Sequence, residues 1–379
     1  MKIMMLAGEP SGDLHGSHLA AELIKQSPSA EIFGTGGEKM RQCGVTLLYD
    51  LKALAITGLL DVIKNAVRLK VIQTTLLSKI KSERPDLIIL IDYPDFNLRF
   101  AKKAHRFGVP IVYYISPQVW AWRKGRIRQI KKYIKKIYVI FRFEEELYRK
   151  EGVPVEFIGH PLLDIVKPRL TRDEFLKGMR LKADGAVVAL LPGSRKRLVK
   201  TLLPVMLESA RLVHKRVPQV RFIVSKSASL DKKTYDALLA RSDLPVTLVE
   251  GNTYDVINAS DVVLTVSGTA TLETAILKKP MAILYKLPLV EYLLAKPLLR
   301  IKNIGLVNIV AGEIVVPEFI QSNARPEKIA MTIIDMLDNK SRYEAIQHNL
   351  TAVKNALYPD GAAFRAASSI LEFLETSTH

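Results

Sequence analysis

The stretch Leu87-Ile88-Ile89-Leu90-Ile91-Asp92-Tyr93-Pro94-Asp95-Phe96-Asn97 decides the fold. Five aliphatic residues in a row are too short for a helix and show no polar alternation. That pattern marks a strand buried on both faces, as in a parallel sheet covered by helices. A carboxylate closes the run and a polar loop follows. Outward from here the pattern recurs. The first half offers Ile3–Ala7, Ile111–Ile115 and Ile137–Phe141. The second offers Val187–Leu191, Phe222–Val224, Val246–Val249, Val262–Val266 and Met281–Leu284. The intervening segments are long enough for crossover helices, so repeated β-α-β units predict a doubly wound α/β fold. The pattern restarts near residue 185. This predicts two domains, 1–165 and 166–379, with a break inside Gly159–Arg169 where prolines and charges interrupt the pattern.

A chain of 379 residues suits two domains, and 48% apolar residues give each a full core. The formal net charge of +18 calls for an acidic partner: nucleic acid, an anionic membrane face or a phosphorylated substrate. Cys43 is the only cysteine, which excludes an internal disulfide and a thiolate metal cluster and suits a reducing compartment. The N-terminus reaches Gly8-Glu9 too soon for a secretory apolar region, and no run of about 18 uncharged apolar residues occurs. Any membrane contact is therefore expected to be peripheral.

Open α/β sheets bind ligands beyond the carboxyl ends of their strands, so the loops there are where chemistry is sought. The first is Gly8-Glu9-Pro10-Ser11-Gly12-Asp13-Leu14-His15-Gly16, whose glycines admit a ligand and whose helix N-terminus favours anions. Its plain alternative is a tight turn capped by Ser11 or Asp13. Gly34-Thr35-Gly36-Gly37 reads as a structural turn. In the second loop, Asp92 or Asp95 could act as a general base toward a hydroxyl, or cap the next helix. The third, Ser116-Pro117-Gln118-Val119-Trp120-Ala121-Trp122, holds both tryptophans, suited to a sugar face, an acyl chain or plain packing. From Phe96 through Phe143 there are thirteen Lys and Arg and no acid. Ile127, Ile130, Ile134 and Ile137 share a helical face with Lys131, Lys132, Lys135 and Lys136 beside it, as on a membrane-surface helix or a helix packed on a sheet.

In the second half, Gly193, Ser194 and Arg195 end a strand and could grip a phosphate. Ser267-Gly268-Thr269-Ala270-Thr271-Leu272-Glu273 should open a helix, its N–H groups meeting a diphosphate and Glu273 accepting ribose hydroxyls. A plain capping box is the alternative there. No D-x-D, no H-E-x-x-H and no Cys/His cluster occurs. A catalytic metal is therefore not indicated, and phosphate charge falls to Arg, Lys and helix N-termini.

Seven motifs occur in series: Ala7–Asp13, Asp92–Asn97, Ser116–Trp122, Phe157-Ile158-Gly159-His160-Pro161-Leu162, Leu191–Arg195, Ser267–Glu273 and Val315-Val316-Pro317-Glu318. Together they resemble the lipid-A-disaccharide synthase family. The resemblance implies a glycosyltransferase B fold: two Rossmann-like domains facing a cleft, with the last helix able to return to the N-terminal domain. It implies inverting transfer of 2,3-diacylglucosamine from its UDP ester to 2,3-diacylglucosamine 1-phosphate (lipid X), with no cofactor and no metal. Asp92, Glu9 and Asp95 become the catalytic candidates, Asp92 as base and Asp95 as its alternate. Ser11, Gly12, Asp13, Gln118 and Trp120 are expected on the acceptor side. Gly193, Ser194, Arg195, Ser267, Gly268, Thr269, Glu273 and Asn308 are expected in the UDP half. The implied setting is cytoplasmic, peripheral on the anionic inner face of the cytoplasmic membrane, with no nucleic acid partner; homodimer formation stays open. Rivals are a relative using a polyprenyl-linked precursor, a basic nucleic-acid-binding protein and a nucleotide-sugar epimerase.

Overall fold

A computed structural model describes residues 1–54, 62–120, 125–181, 185–287 and 303–377. The chain forms two compact units, Met1–Pro161 joined by Pro359–His379, and Leu162–Tyr358. The first unit holds seven strands: β1 Lys2–Ala7, β2 Glu31–Gly36, β3 Thr46–Asp50, β4 Leu87–Ile91, β5 Ile111–Tyr114, β6 Lys136–Val139 and β7 Val155–Phe157. They pair in the order β3-β2-β1-β4-β5-β6-β7, every pairing parallel.

Successive side chains along each strand go to opposite layers, so an all-apolar strand feeds two cores at once. Met4, Leu6, Ile88, Leu90 and Tyr113 pack on one side with Ile72 and Leu76 of helix α3 (Val62–Glu83). Ile3, Met5, Ile89 and Ile91 pack on the other with Leu19 and Leu23 of α1 (Pro10–Gln26).

The second unit repeats the design with β8 Val187–Leu191, β9 Arg221–Lys226, β10 Val246–Glu250, β11 Val262–Val266, β12 Met281–Tyr285 and β13 Glu318–Ile320. Their order is β10-β9-β8-β11-β12-β13, again parallel throughout. In each sheet the winding reverses once, between β1 and β4 and between β8 and β11. The loops after those four strands therefore flank the crevice where open sheets bind ligands.

Some expectations need correction. Gly34-Thr35-Gly36 is not a turn but part of β2, with a register shift at Gly34/Thr35. A Cβ on Gly34 would collide with the Met5 carbonyl oxygen, so glycine is required by the close approach of β1. The basic helix ends at Tyr133, because Ile134 turns extended (φ −106°, ψ 129°) and Ile137 belongs to β6. The four isoleucines are all buried, but as helix, cap and strand. Residues 359–379, given by sequence to the second domain with the return of the last helix to the first left open, cluster with the first unit. There the last helix packs Ala362, Ala366, Ala367 and Ile370 into the α1 side of the core. Gly159 (φ +83°) lets the Pro359 backbone approach, where a Cβ would strike the carbonyl oxygen.

Candidate active site

In the first unit the loops after β1 and β4 meet. Asp92 and Tyr93 both adopt left-handed backbone, at φ 43° and φ 47°. Two adjacent non-glycine residues in that region are costly and persist only where surroundings enforce them. The surroundings are visible. Asn97, at the next helical turn, donates through Nδ2 to the Asp92 carbonyl oxygen at 2.7 Å and to that of Ile91 at 3.2 Å. Tyr113 donates its hydroxyl to the same Asp92 oxygen at 2.5 Å. The Tyr93 ring lies where a Cβ on Gly8 would be, which explains the glycine that begins the first loop.

This backbone turn keeps the Asp92 carboxyl partly buried. Burial pushes its pKa up to about 6; the nearby Glu9 adds to the rise and the Tyr93 backbone N–H opposes it. Glu9 itself is exposed and caps α1 through its backbone geometry, with no side-chain cap bond. Asp95 differs from Asp92 in kind. It is exposed in the first turn of α4 (Pro94–Ala104) and paired at 2.5 Å with Arg126 of α5 (Arg126–Tyr133).

The other acceptor-side candidates divide. Ser11 and Gln118 are exposed, and Gly12 is buried against Ala7. Asp13 is buried and serves the backbone: its carboxylate accepts from the N–H groups of Gly37 (2.7 Å), Met40 (3.1 Å) and Lys39 (3.2 Å). It thereby caps α2 (Glu38–Gln42), not its own helix. Trp120 donates its indole N–H to Glu144 at 2.9 Å. Trp122 lies outside the described residues.

In the second unit the loops after β8, β9 and β11 line a cleft of about 540 Å³. Gly193, Ser194, Arg195, Ser267, Gly268, Thr269 and Glu273 all reach it. Gly268 sits at φ 145°, a conformation open to glycine, and starts helix α7 (Thr269–Ile276). First-turn N–H groups of a helix lack intrahelical acceptors and attract anions. Glu273, on the same helix, accepts from Tyr254 at 3.2 Å, and burial raises its carboxyl above the usual range. It also borders a second cavity of about 310 Å³ with Lys167, Arg169 and Asn252.

Asn308 is fully buried and saturated. Its Nδ2 donates to Val316 O (2.9 Å) and Glu318 Oε1 (2.8 Å), and its Oδ1 accepts from the N–H groups of Val315 and Val316. No hydrogen-bonding capacity is left for a ligand. Lys226 is the residue that sequence reading missed. It lines the cleft at 3% side-chain exposure, its ammonium 2.6 Å from Glu250. Its signal was only a lysine two residues beyond the apolar run Phe222–Val224.

A family model described as "Lipid-A-disaccharide synthetase" matches residues 3–365. The chain belongs to the lipid-A-disaccharide synthase family. Members are glycosyltransferases of lipid A biosynthesis, and the relatives agree at full length. A lipid-A-disaccharide synthase of Syntrophus aciditrophicus is 44% identical over 376 residues, covering 99% of this chain and 98% of its own. One from Geobacter sulfurreducens is 44% identical over 373 residues, covering 98% and 97%. One from Coxiella burnetii is 38% identical over 368 residues, covering 97% of each. Among solved structures, UDP-GlcNAc 2-epimerase from Neisseria meningitidis superposes at TM-score 0.65 with 15% identity over 99% of this chain and all of the other. Acinetobacter baumannii MurG gives 0.61 with 12% identity over 98% and 99%. These two share the fold, a glycosyltransferase B arrangement of two Rossmann-like units. The nucleic-acid and epimerase readings of the charge and fold give way to the family.

Proposed function

We propose that the protein transfers 2,3-diacylglucosamine from UDP-2,3-diacylglucosamine to 2,3-diacylglucosamine 1-phosphate, giving the lipid A disaccharide 1-phosphate and UDP. An acceptor hydroxyl oxygen bonds to the anomeric carbon while the bond from that carbon to the diphosphate breaks. Asp92 takes the hydroxyl proton and the electron pair leaves on UDP. The observation that carries this reading is the Asp92 carboxyl, held by an enforced backbone turn at a strand's carboxyl end and tuned by burial to about 6. A base of that strength is ionised at neutral pH yet binds a proton more firmly than an ordinary aspartate. Asp95 is disfavoured because Arg126 already engages its carboxylate.

In the second unit, Arg195, Lys226 and the first-turn N–H groups of α7 would take the growing charge of the diphosphate, and Glu273 the ribose hydroxyls. Both substrates carry acyl chains, so the enzyme works as a peripheral protein on the inner face of the cytoplasmic membrane. Exposed Val67 and Val71 on α3, with Arg68 and Lys70 between them, and exposed Lys131, Lys132 and Lys135 support such a face. Steady-state turnover of Asp92→Asn tests the assignment of the base. A loss of about a hundredfold or more in kcat, with UDP affinity unchanged, is expected; activity within twofold of wild type removes Asp92 from the role.

A further inference from the structure

Next to the Asp92 loop, the chain leaves β5 through Ile115 at φ 63°. A β-branched residue rarely accepts that conformation, so something downstream must hold it. The segment it launches, Ser116–Trp120, is fastened from behind by α6 (Arg142–Lys150). Glu144 of that helix is 1% exposed. Its Oε1 accepts from Ser116 Oγ at 3.1 Å and from Trp120 Nε1 at 2.9 Å. Tyr148, one turn on, donates its hydroxyl to the Pro117 carbonyl oxygen at 3.5 Å. Phe143 meets the Trp120 indole edge-on at 5.3 Å and stacks on Phe141. The backbone N–H groups of Ile140 and Phe141, at the start of the same helix, also favour the charged carboxyl. A buried carboxyl is an expensive way to fill space, and an apolar side chain would fill it more cheaply. What the carboxyl supplies, and an apolar group could not, is a single acceptor atom gripping both ends of one loop.

We propose that Glu144 is a positioning residue of the transfer reaction, clamping Ser116 and Trp120 so that the loop after β5 presents the indole beside the Asp92 turn. The placement follows from the sheet: Ile91 and Tyr114 are register partners, and the Asp92 N–H donates to the Tyr114 carbonyl oxygen at 3.4 Å. The proposal rests on the acceptor-side role given above to this half of the chain. Burial raises the Glu144 carboxyl to about 7, so the clamp exists in two strengths. Ionised, its hydrogen bonds from Ser116 and Trp120 are charge-assisted and tight; protonated, they are weaker. The titratable neighbours stay silent across that range. Tyr148 is pushed upward by burial, and His160, beyond Phe141, is pushed down to about 3. Ser116 and Trp120 carry no charge.

Two readouts test the clamp. In kinetics with both lipid substrates, Glu144→Leu should lose about tenfold or more in kcat, the scale of a misplaced contact. Donor KM should shift by less than about twofold, since the donor half is untouched. Glu144→Gln keeps an acceptor oxygen and should restore kcat to within about threefold. A folded Glu144→Leu with wild-type kcat overturns the proposal. The second readout needs no substrate. In a Trp122→Phe background Trp120 is the sole indole, and its emission should shift with a midpoint near pH 7 that Glu144→Gln abolishes. A midpoint that survives Glu144→Gln overturns the clamp. If Glu144→Leu does not fold, the Gln variant and the emission titration decide. If no lipid transfer is seen with wild type, the function reading fails, while the emission titration still judges the clamp.

Discussion

Burial of the Asp92 carboxyl costs stability, and the amount is measurable. Its carboxyl has a folded-state value near 6 against an ordinary 3.8. Well below pH 3.8, at about pH 2.5, it is neutral in both folded and unfolded chains. Above pH 6 it is ionised in both, and the folded chain carries the burial penalty. A two-unit rise corresponds to at most about 3 kcal/mol. Asp92→Asn should therefore raise unfolding free energy by about 1–3 kcal/mol at pH 8 and by almost nothing at about pH 2.5, read from urea unfolding at the two pH values. Equal shifts at both would mean that the burial is not felt by the charge. Lys226 makes the converse case: its cation is buried while its partner Glu250 is 57% exposed. Lys226→Met should weaken UDP binding about tenfold, the worth of one charge-assisted bond, without unfolding the chain. Calorimetric titration with UDP in EDTA measures this, and unchanged affinity would remove Lys226 from the diphosphate site. At single residues the sequence was only partly legible. That Asp92 follows a buried strand and that Glu273 lies on the helix after one was visible in one dimension. The roles of Asp13 and Asn308 were not, because a side chain that caps another segment's backbone looks the same in sequence as one that binds a ligand. That Glu144 bonds Ser116 and Trp120 and that Lys226 lines the cleft was not visible, because helix α6 and strand β9 carry no local mark of what they face.

Most interior strands and the edge strand β10 were legible, whereas interior β2 and the edge strands β3, β7 and β13 were not. β4 and β8 are uniformly apolar, β11 is apolar but for Thr265, and all three are buried at every position. β3, β7 and β13 are only partly buried, and β2 carries two glycines, so none shows the continuous apolar run of a covered strand. Loop positions followed from the strands, since the winding order decides which loops share a crevice. The basic segment was misread in its boundaries, and this changes how membrane attachment is tested. Lys136 sits in β6 and is engaged at 2.7 Å by Glu156 and at 2.9 Å by Ser369, so neutralising it would disturb the fold. Lys131, Lys132 and Lys135 are exposed. Each basic group near an anionic surface is worth about 1 kcal/mol. Changing those three to Gln should therefore reduce co-sedimentation with anionic vesicles at low salt, and Val67→Asp with Val71→Asp should reduce it at high salt as well. Wild type that stays in the supernatant with acidic vesicles would refute peripheral attachment. Among the described residues no helix is long and apolar enough to cross a membrane.

The chain as a whole is two doubly wound units, and its C-terminal segment belongs to the one that begins it. Ala362, Ala366, Ala367 and Ile370 are all fully buried in the first unit's core. Losing one such isoleucine to alanine costs about 2–5 kcal/mol. A chain ending at Tyr358 should therefore lose the thermal transition of the first unit and keep a UDP-stabilised transition of the second. One undiminished transition in the truncated chain would show that the returning helix is dispensable. The two-unit plan was legible because the strand pattern restarts, whereas the return of the last helix was left open, since an amphipathic helix does not declare which core it joins. The reaction itself is tested most directly by incubating the purified protein, in EDTA, with UDP-2,3-diacylglucosamine and 2,3-diacylglucosamine 1-phosphate, then weighing the products by mass spectrometry. The mechanism predicts a disaccharide monophosphate carrying both sets of acyl chains, formed one-for-one with UDP. Donor consumed to free sugar and UDP, or isomerised with no disaccharide formed, would contradict it.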